Sequence, residues 1–161
     1  MLKTIWKKKL IQFRMYQFKK YTNKNLLDLF EWRNDKSYRK FSFNKKKISI
    51  NTHKKWVKKI LKKKNNKIYV FYKIKRPVGT CILIEKKDGF FLSYSIVKDL
   101  RRQGLSKKMF NFFNKKVVNF KKKNLILADV LNKNTLSLKT LTKARFKIIE
   151  KNKKFTRMQL F

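Results

Sequence analysis

The sequence predicts an α/β domain in which a mixed sheet carries helices on both faces. Three observations point there. Short runs rich in aromatic and β-branched residues are bounded by turn chemistry, as strands are. Between them lie segments whose apolar residues recur at helical spacing behind capping residues. Strands alternate with helices only in the second half of the chain, which implies mixed pairing. At 161 residues and 42% hydrophobic, the chain has enough apolar surface for one core. It shows no repeat and no Pro/Gly/Ser linker, so residues 1–161 are read as a single domain.

The elements follow in order. The run LIQFRMYQF (10–18) alternates and reads as a first strand. TNKNLLDLFEWRN (22–34) groups Leu26, Leu27, Leu29 and Phe30 behind Thr22 or Asn23, and reads as a helix. A second helix starts at Ser49 or Asn51 and sets Trp56, Val57, Ile60 and Leu61 on one face. KIYVFYKI (67–74) is a strand, KRPVG a turn, and VGTCILIE (78–85) the next strand. Asp88-Gly89 supplies hairpin turn chemistry before the strand FFLSYSIV (90–97). A helix to about Phe120 carries Leu105, Met109, Phe112, Phe113 and Val117 on its apolar face. NLILADVL (124–131) is a buried strand, Asn134 caps a helix to 144, and RFKIIEK with KFTRMQLF closes as a strand pair.

Composition narrows the chemistry. A single cysteine, Cys81, excludes an internal disulfide framework and a multi-cysteine zinc site. With one histidine, His53, a multi-histidine metal site is excluded too, and no metal is expected. No apolar run approaches the roughly 20 residues that span a bilayer. The start MLKTIWKKKLIQF has no unbroken apolar core, so a cytoplasmic protein without a signal peptide is expected. The charge is extreme: 47 Lys+Arg against 8 Asp+Glu, formally +39. Such a field favours anionic partners, and non-specific nucleic-acid binding is one expectation. Lysines are nevertheless dispersed over every element, and Lys, Asn, Phe, Ile and Tyr, all with AT-rich codons, dominate. Codon drift is therefore the preferred account of the charge.

The stretch DLRRQGLSKKMF (99–110) puts Gly104, one of three glycines, at a strand-to-helix turn among basic residues. Helix-opening amides lack internal partners and sit at the positive end of the helix dipole. A glycine lets a phosphate approach where a Cβ would intrude, and Arg101, Arg102 and Gln103 add donors. The stretch reads as a pyrophosphate cradle, although it is neither a P-loop nor a three-glycine dinucleotide fingerprint. VKDLRRQGLSKKMF resembles the acetyl-CoA-binding segment of the GNAT N-acetyltransferases, with Arg101, Gly104 and Ser106 in the motif places. VLNKNTLSLKTLTKARF resembles the family's second signature at Asn134, Ser137, Lys143 and Phe146. Leu141 stands where many members have Tyr, and Arg145 where Gly is usual.

The resemblance implies a mostly antiparallel sheet of about six to seven strands. It implies acetyl-CoA as co-substrate, held by Ile96 and Val97, by Arg101, Arg102, Gln103, Gly104, Leu105 and Ser106, and by Asn134, Ser137 and Lys143. EWRN through ISINTHKKW to RPVGT resembles the branch that contains ribosomal-protein N-terminal acetyltransferases and the UDP-4-amino-4,6-dideoxy-N-acetyl-β-L-altrosamine N-acetyltransferases of pseudaminic acid synthesis, the latter more closely. It implies an acceptor site at Arg33, Asn34, His53 and Trp56, with an anionic nucleotide sugar as acceptor. With Leu141 unable to give a proton, Tyr94 is the candidate acid. Glu85, His53 or a water chain are the candidate bases. A protein N-terminal acceptor, or a nucleic-acid-binding domain without chemistry, stands as the alternative. A monomer or homodimer is expected.

Overall fold

The computed structural model describes residues 15–121 and 124–161. Seven strands form one sheet: β1 (Tyr16–Lys20), β2 (Lys67–Lys73), β3 (Arg76–Lys86), β4 (Gly89–Ile96), β5 (Ile126–Leu131), β6 (Phe146–Lys151) and β7 (Phe155–Leu160). Their spatial order is β1-β2-β3-β4-β5-β7-β6, antiparallel except for the β4–β5 pair. The helices are α1 (Leu26–Asn34), α2 (Lys36–Arg39), α3 (Ile50–Lys62), α4 (Leu105–Lys116), α5 (Val118–Lys121) and α6 (Thr135–Lys143). The mixed, mostly antiparallel α/β architecture expected from the sequence is the one observed.

The period-two alternation of the strands divides the core. On one face Phe71, Leu83, Leu92, Ile96 and Ile126 pack with Met109, Phe110 and Phe113 of α4 and Leu141 of α6. On the other, Val70 and Ile82 pack with Leu29 of α1 and with Val57 and Ile60 of α3. Burying several large side chains on each face, at about 1.5–3 kcal/mol each, is what fixes the register of a two-sided sheet.

Several boundaries differ from the expectation. The first strand begins at Tyr16; the part expected over 10–14 lies outside the described residues. Asn23–Asn25 forms a 3-10 turn before α1, because the Asn25 side chain folds back to the Thr22 N–H at 3.1 Å. Ser49, rather than Asn51, caps α3 by accepting from the Thr52 N–H at 3.1 Å. The turn expected at KRPVG is shorter, since Lys73 already pairs with Arg76 and only Ile74 and Lys75 turn the chain. Pro77 is tolerated in β3 because β4 ends opposite Gly79, leaving its other edge without a ladder to feed. The helix expected to Phe120 breaks at Val117.

Candidate active site

The site begins with an imperfection in the sheet. β4 and β5 pair only at Phe90↔Ile126 and Phe91↔Leu127, then part. On its far side β5 stays paired with β7 from Leu127 to Leu131, so the parting is a local split. Phe90 N–H donates to Leu125 C=O toward β5, and Val97 N–H to Val78 C=O toward β3. Backbone groups alternate sides along an antiparallel ladder, so Leu92, Tyr94 and Ile96 turn theirs into the split. The expected partner Val97 thus has its N–H committed to β3, whereas Ile96 faces the gap.

Beyond the strand, a 3-10 turn (Lys98–Leu100) leads to Arg102 at φ +62° and Gly104 at φ +72°, and α4 opens at Leu105. No side chain caps α4, so its first amides point outward with the dipole behind them. Among the described residues, a Cβ built on Gly104 meets no protein atom within 4 Å. The space in front of these amides is open, and the arrangement suits a phosphate. Arg102 and Gln103 are exposed beside it. Leu105 is buried and offers only its amide. Lys143 is exposed at the end of α6.

Arg101 is engaged elsewhere. Its Nε donates to the Ile96 C=O at 2.8 Å and its Nη1 to the Ser37 Oγ at 2.5 Å. Ser37 donates in turn to Asp35, whose carboxylate also caps α2. Burial works against the Asp35 charge. Hydrogen bonds from Ser37 and Tyr38 and the Arg101 guanidinium outweigh it and hold the carboxyl below the usual carboxylate range. Arg101 therefore ties the loop after β4 to α2, a tie between distant segments that no local sequence signal announces.

On the opposite lip, the Asn134 Oδ1 accepts from the Ser137 N–H at 3.3 Å and caps α6. The Tyr94 Oη lies 2.9 Å from the Ser137 Oγ, so a hydrogen bond bridges β4 to α6. The Tyr94 ring meets Phe110 edge-on with centroids 4.9 Å apart. Burial raises the Tyr94 pKa above the ordinary tyrosine value, with hydrogen bonds from Ser137 and Thr140 opposing. The phenol therefore stays protonated through neutral pH. Leu141, at the position where many family members carry Tyr, is fully buried in the core.

The remaining candidates lie apart. Glu85 sits opposite Phe90, at the closed end of the split, about 13 Å of strand from Tyr94. Its carboxylate accepts from the Asn65 side chain at 3.0 Å. The structure does not bring it to the site. Asn34 clasps Ile48, donating to its C=O at 2.9 Å and accepting from its N–H at 3.0 Å, so this amide fastens the chain before α3 rather than facing a ligand. His53 is buried, 1% exposed, between Phe30 and Trp56, whose rings lie at 5.8 and 5.5 Å. Among the described residues neither ring nitrogen has a partner, and Arg33 Nη1 is likewise buried without one. Burial first, then the Arg33 charge, lower the His53 pKa, so the ring is neutral at neutral pH. A cleft of about 310 Å³ opens between α1 and the loop after β4. It is lined by Asp28, Glu31, Trp32 and Asp35 together with Arg76, Lys98 and Arg101. Neither Asp28 nor Glu31 was expected at a site.

A split parallel pair, an open glycine-led helix start beside it, and a polar bridge from β4 to α6 make up one site, whose uncapped amides suit an anion. A family model for the acetyltransferase (GNAT) domain matches residues 17–147, and the chain belongs to that family. It is an N-acetyltransferase. No curated protein matches the sequence. Among solved structures, a domain from Methanocaldococcus jannaschii is similar at TM-score 0.74 and 19% identity, covering 90% of this chain and 98% of that one. The Campylobacter jejuni N-acetyltransferase PseH is similar at TM-score 0.65 and 17% identity, with 91% and 97% covered. Vibrio cholerae spermidine N-acetyltransferase, solved with CoA and spermine, gives TM-score 0.78 at 13% identity, with 91% and 95% covered. Among the described residues no helix is long and apolar enough to cross a membrane, and no group of three or more His, Cys, Asp or Glu could hold a metal.

Proposed function

We propose that the chain transfers an acetyl group from acetyl-CoA to a primary amine of a small molecule, the 4-amino group of a UDP-linked amino sugar. The observation that carries the donor half is Gly104: an uncapped helix start whose glycine opens onto free space at the mouth of the β4–β5 split. Acetyl-CoA supplies the activated thioester. The amides of 102–106 receive its pyrophosphate, and the backbone groups of Tyr94 with the Ile96 N–H, all facing the split, line the path of its arm. Asn134 and Lys143 border the same path from α6. Tyr94 holds its proton at Oη, 2.9 Å from Ser137, and is the group that can give one to a departing thiolate. A water chain takes the amine's proton, because Glu85 lies about 13 Å of strand from Tyr94 and His53 is enclosed by Phe30 and Trp56.

The acceptor half rests on the EWRN and ISINTHKKW resemblance and on the anion-favouring field of a +39 chain. Within that site His53, Arg33 and Trp56 shape the wall rather than perform chemistry. A second reading has a specific observation behind it. Three of the chain's eight acidic residues, Asp28, Glu31 and Asp35, line one cleft with Trp32, a setting that suits a cationic amine. A thiol-release assay with acetyl-CoA over 4-amino UDP-sugars, polyamines and peptide N-termini separates the readings. Fastest turnover of the UDP-sugar is expected. Faster polyamine turnover moves the acceptor to the acidic cleft, faster peptide turnover moves it to a protein N-terminus, and no thiol release from any acceptor removes the catalytic proposal.

A further inference from the structure

Three segments distant in sequence converge where β5 ends, and each brings lysines. The Phe43 ring meets Phe155 edge-on at 6.1 Å, laying the 40–47 segment against the β6–β7 turn. That segment is held in shape by Arg39 Nη1 donating to the Lys45 C=O at 2.8 Å and by Arg33 Nη2 donating to the Asn44 C=O at 3.1 Å. The Asn132 N–H donates to the Lys154 C=O at 3.1 Å and its Nδ2 to the Asn152 C=O at 2.7 Å, which ties the turn carrying Lys133 to the same place. Lys40, Lys45, Lys133 and Lys154 are thereby gathered, and all four are exposed.

No carboxylate offsets them. The chain has no Asp or Glu between Asp35 and Glu85. The acids of the adjoining strands, Asp129 and Glu150, are both engaged by Arg157, at 2.7 and 3.6 Å. The neighbouring Lys45 amine first, then desolvation and the Lys40 charge, lower the Lys133 pKa. Like charges gathered without a counter-ion raise the local positive potential and favour an anion there. Because β4 and β5 run parallel, their ends face the same way. Gly104 lies past the end of β4 and Lys133 past the end of β5, so the two basic features occupy opposite lips of one split. Lys133 stands one residue before Asn134, the cap of the helix that presents Ser137 to Tyr94.

We propose that Lys40, Lys45 and Lys133 form a second phosphate site that anchors the diphosphate of the acceptor, distinct from the site at Gly104 for the donor. This rests on the acetyltransferase reading above and specifies its acceptor as a nucleoside-diphosphate-linked amine. The dispersed lysines of the chain raise a general field. The trio differs in being brought together by specific contacts around one point.

The test is titration calorimetry with UDP as probe, with and without saturating CoA. The protein is compared with a Lys45→Gln/Lys133→Gln double variant and with a Lys58→Gln/Lys62→Gln double variant, which removes the same charge from the exposed face of α3. UDP is expected to bind with CoA present, to weaken at least tenfold in the first variant, and to change less than threefold in the second. The CoA-induced thermal shift should be the same in all three. Equal weakening in both variants assigns the effect to the diffuse field and overturns the site. Absence of UDP binding overturns it while leaving the donor site standing. Loss of the CoA shift in the first variant, with UDP unaffected, assigns the trio to a CoA phosphate and overturns it as an acceptor site.

Discussion

Gly104→Ala separates the donor site from the stability of the chain. The glycine is at φ +72°, where a Cβ costs about 1–2 kcal/mol in backbone strain. An alanine recovers about 0.4–1 kcal/mol by restricting the unfolded chain. No protein atom lies within 4 Å of the added carbon, so no clash adds to the cost. The net loss is about 1 kcal/mol, or about 2–4 °C in Tm for a chain of this size. The effect on ligand is larger. With CoA at a hundred times Kd, the folded state gains about 2.7 kcal/mol, which a thermal-shift assay reads as a rise of about 5–10 °C. If the new methyl occupies the space of a phosphate and weakens binding about a hundredfold, the gain at the same CoA concentration falls to about 0.4 kcal/mol. The variant should therefore melt slightly early and barely respond to CoA. Gly79→Ala is the contrasting case: its Cβ would stand 2.6 Å from the Ser95 carbonyl oxygen, so it should melt much earlier. A full CoA shift in Gly104→Ala would refute the cradle.

Tyr94→Phe should slow turnover at least about a hundredfold, the lower end of what a general acid contributes, with the CoA thermal shift unchanged. Unchanged turnover would leave the thiolate to depart unassisted. Arg145→Gly should raise stability by about 1 kcal/mol, because Arg145 sits at φ +72° just past the end of α6, where glycine is favoured; a lowered Tm would contradict this. His53, the chain's one histidine, has a lowered folded pKa. The unfolded chain takes up a proton at about pH 6.5 that the folded chain refuses. Stability is then fully present above about pH 6.5 and falls below it, with a slope approaching about 1.4 kcal/mol per pH unit. Urea melts from pH 7.5 to 5.5 should show this in the native chain and not in His53→Leu; parallel curves for the two would count against a buried neutral ring.

The order of elements was legible because each carries its own signal: alternation in β2 to β4, spaced apolar residues in α3 and α4, a cap at Asn134. The turn into α4 was legible for the same reason, since Gly104, its basic neighbours and the helix after it are contiguous. Partners across distance were not. Nothing in the sequence near Asn34 says that its amide closes on Ile48, or that Arg101 reaches back to Ser37 rather than forward to the loop. Ser137 was named as a small residue beside the donor, but its bond to Tyr94 spans 43 positions and needed the sheet to bring the two together. Pro77 read as a turn because proline usually marks one, and only the early end of β4 explains its place in a strand. His53 was expected at the acceptor site and as a candidate base. The aromatic pair Phe30 and Trp56 that encloses it lies on two different helices.

The distribution of glycine bears on the donor site independently of any motif. A glycine codon becomes an arginine codon by one G-to-A change, GGA to AGA, and this composition leans heavily toward A and T. Positive φ alone does not secure a glycine in this chain: Arg102 and Arg145 occupy that region at +62° and +72°. Of the three positions that are glycine, two are enforced by contact. A Cβ at Gly79 would press on the Ser95 carbonyl oxygen at 2.6 Å, and one at Gly89 on the Leu125 carbonyl oxygen at 2.9 Å. Gly104 shares its φ with Arg145 and has no protein atom within 4 Å of the missing Cβ. Packing among the described residues does not require glycine there, and the backbone conformation favours it by only about 1–2 kcal/mol, a cost that Arg145 bears. The proposed donor gives a further reason for it: a phosphate in the open space in front of α4 would lie where a Cβ would intrude, facing the uncapped amides of the helix.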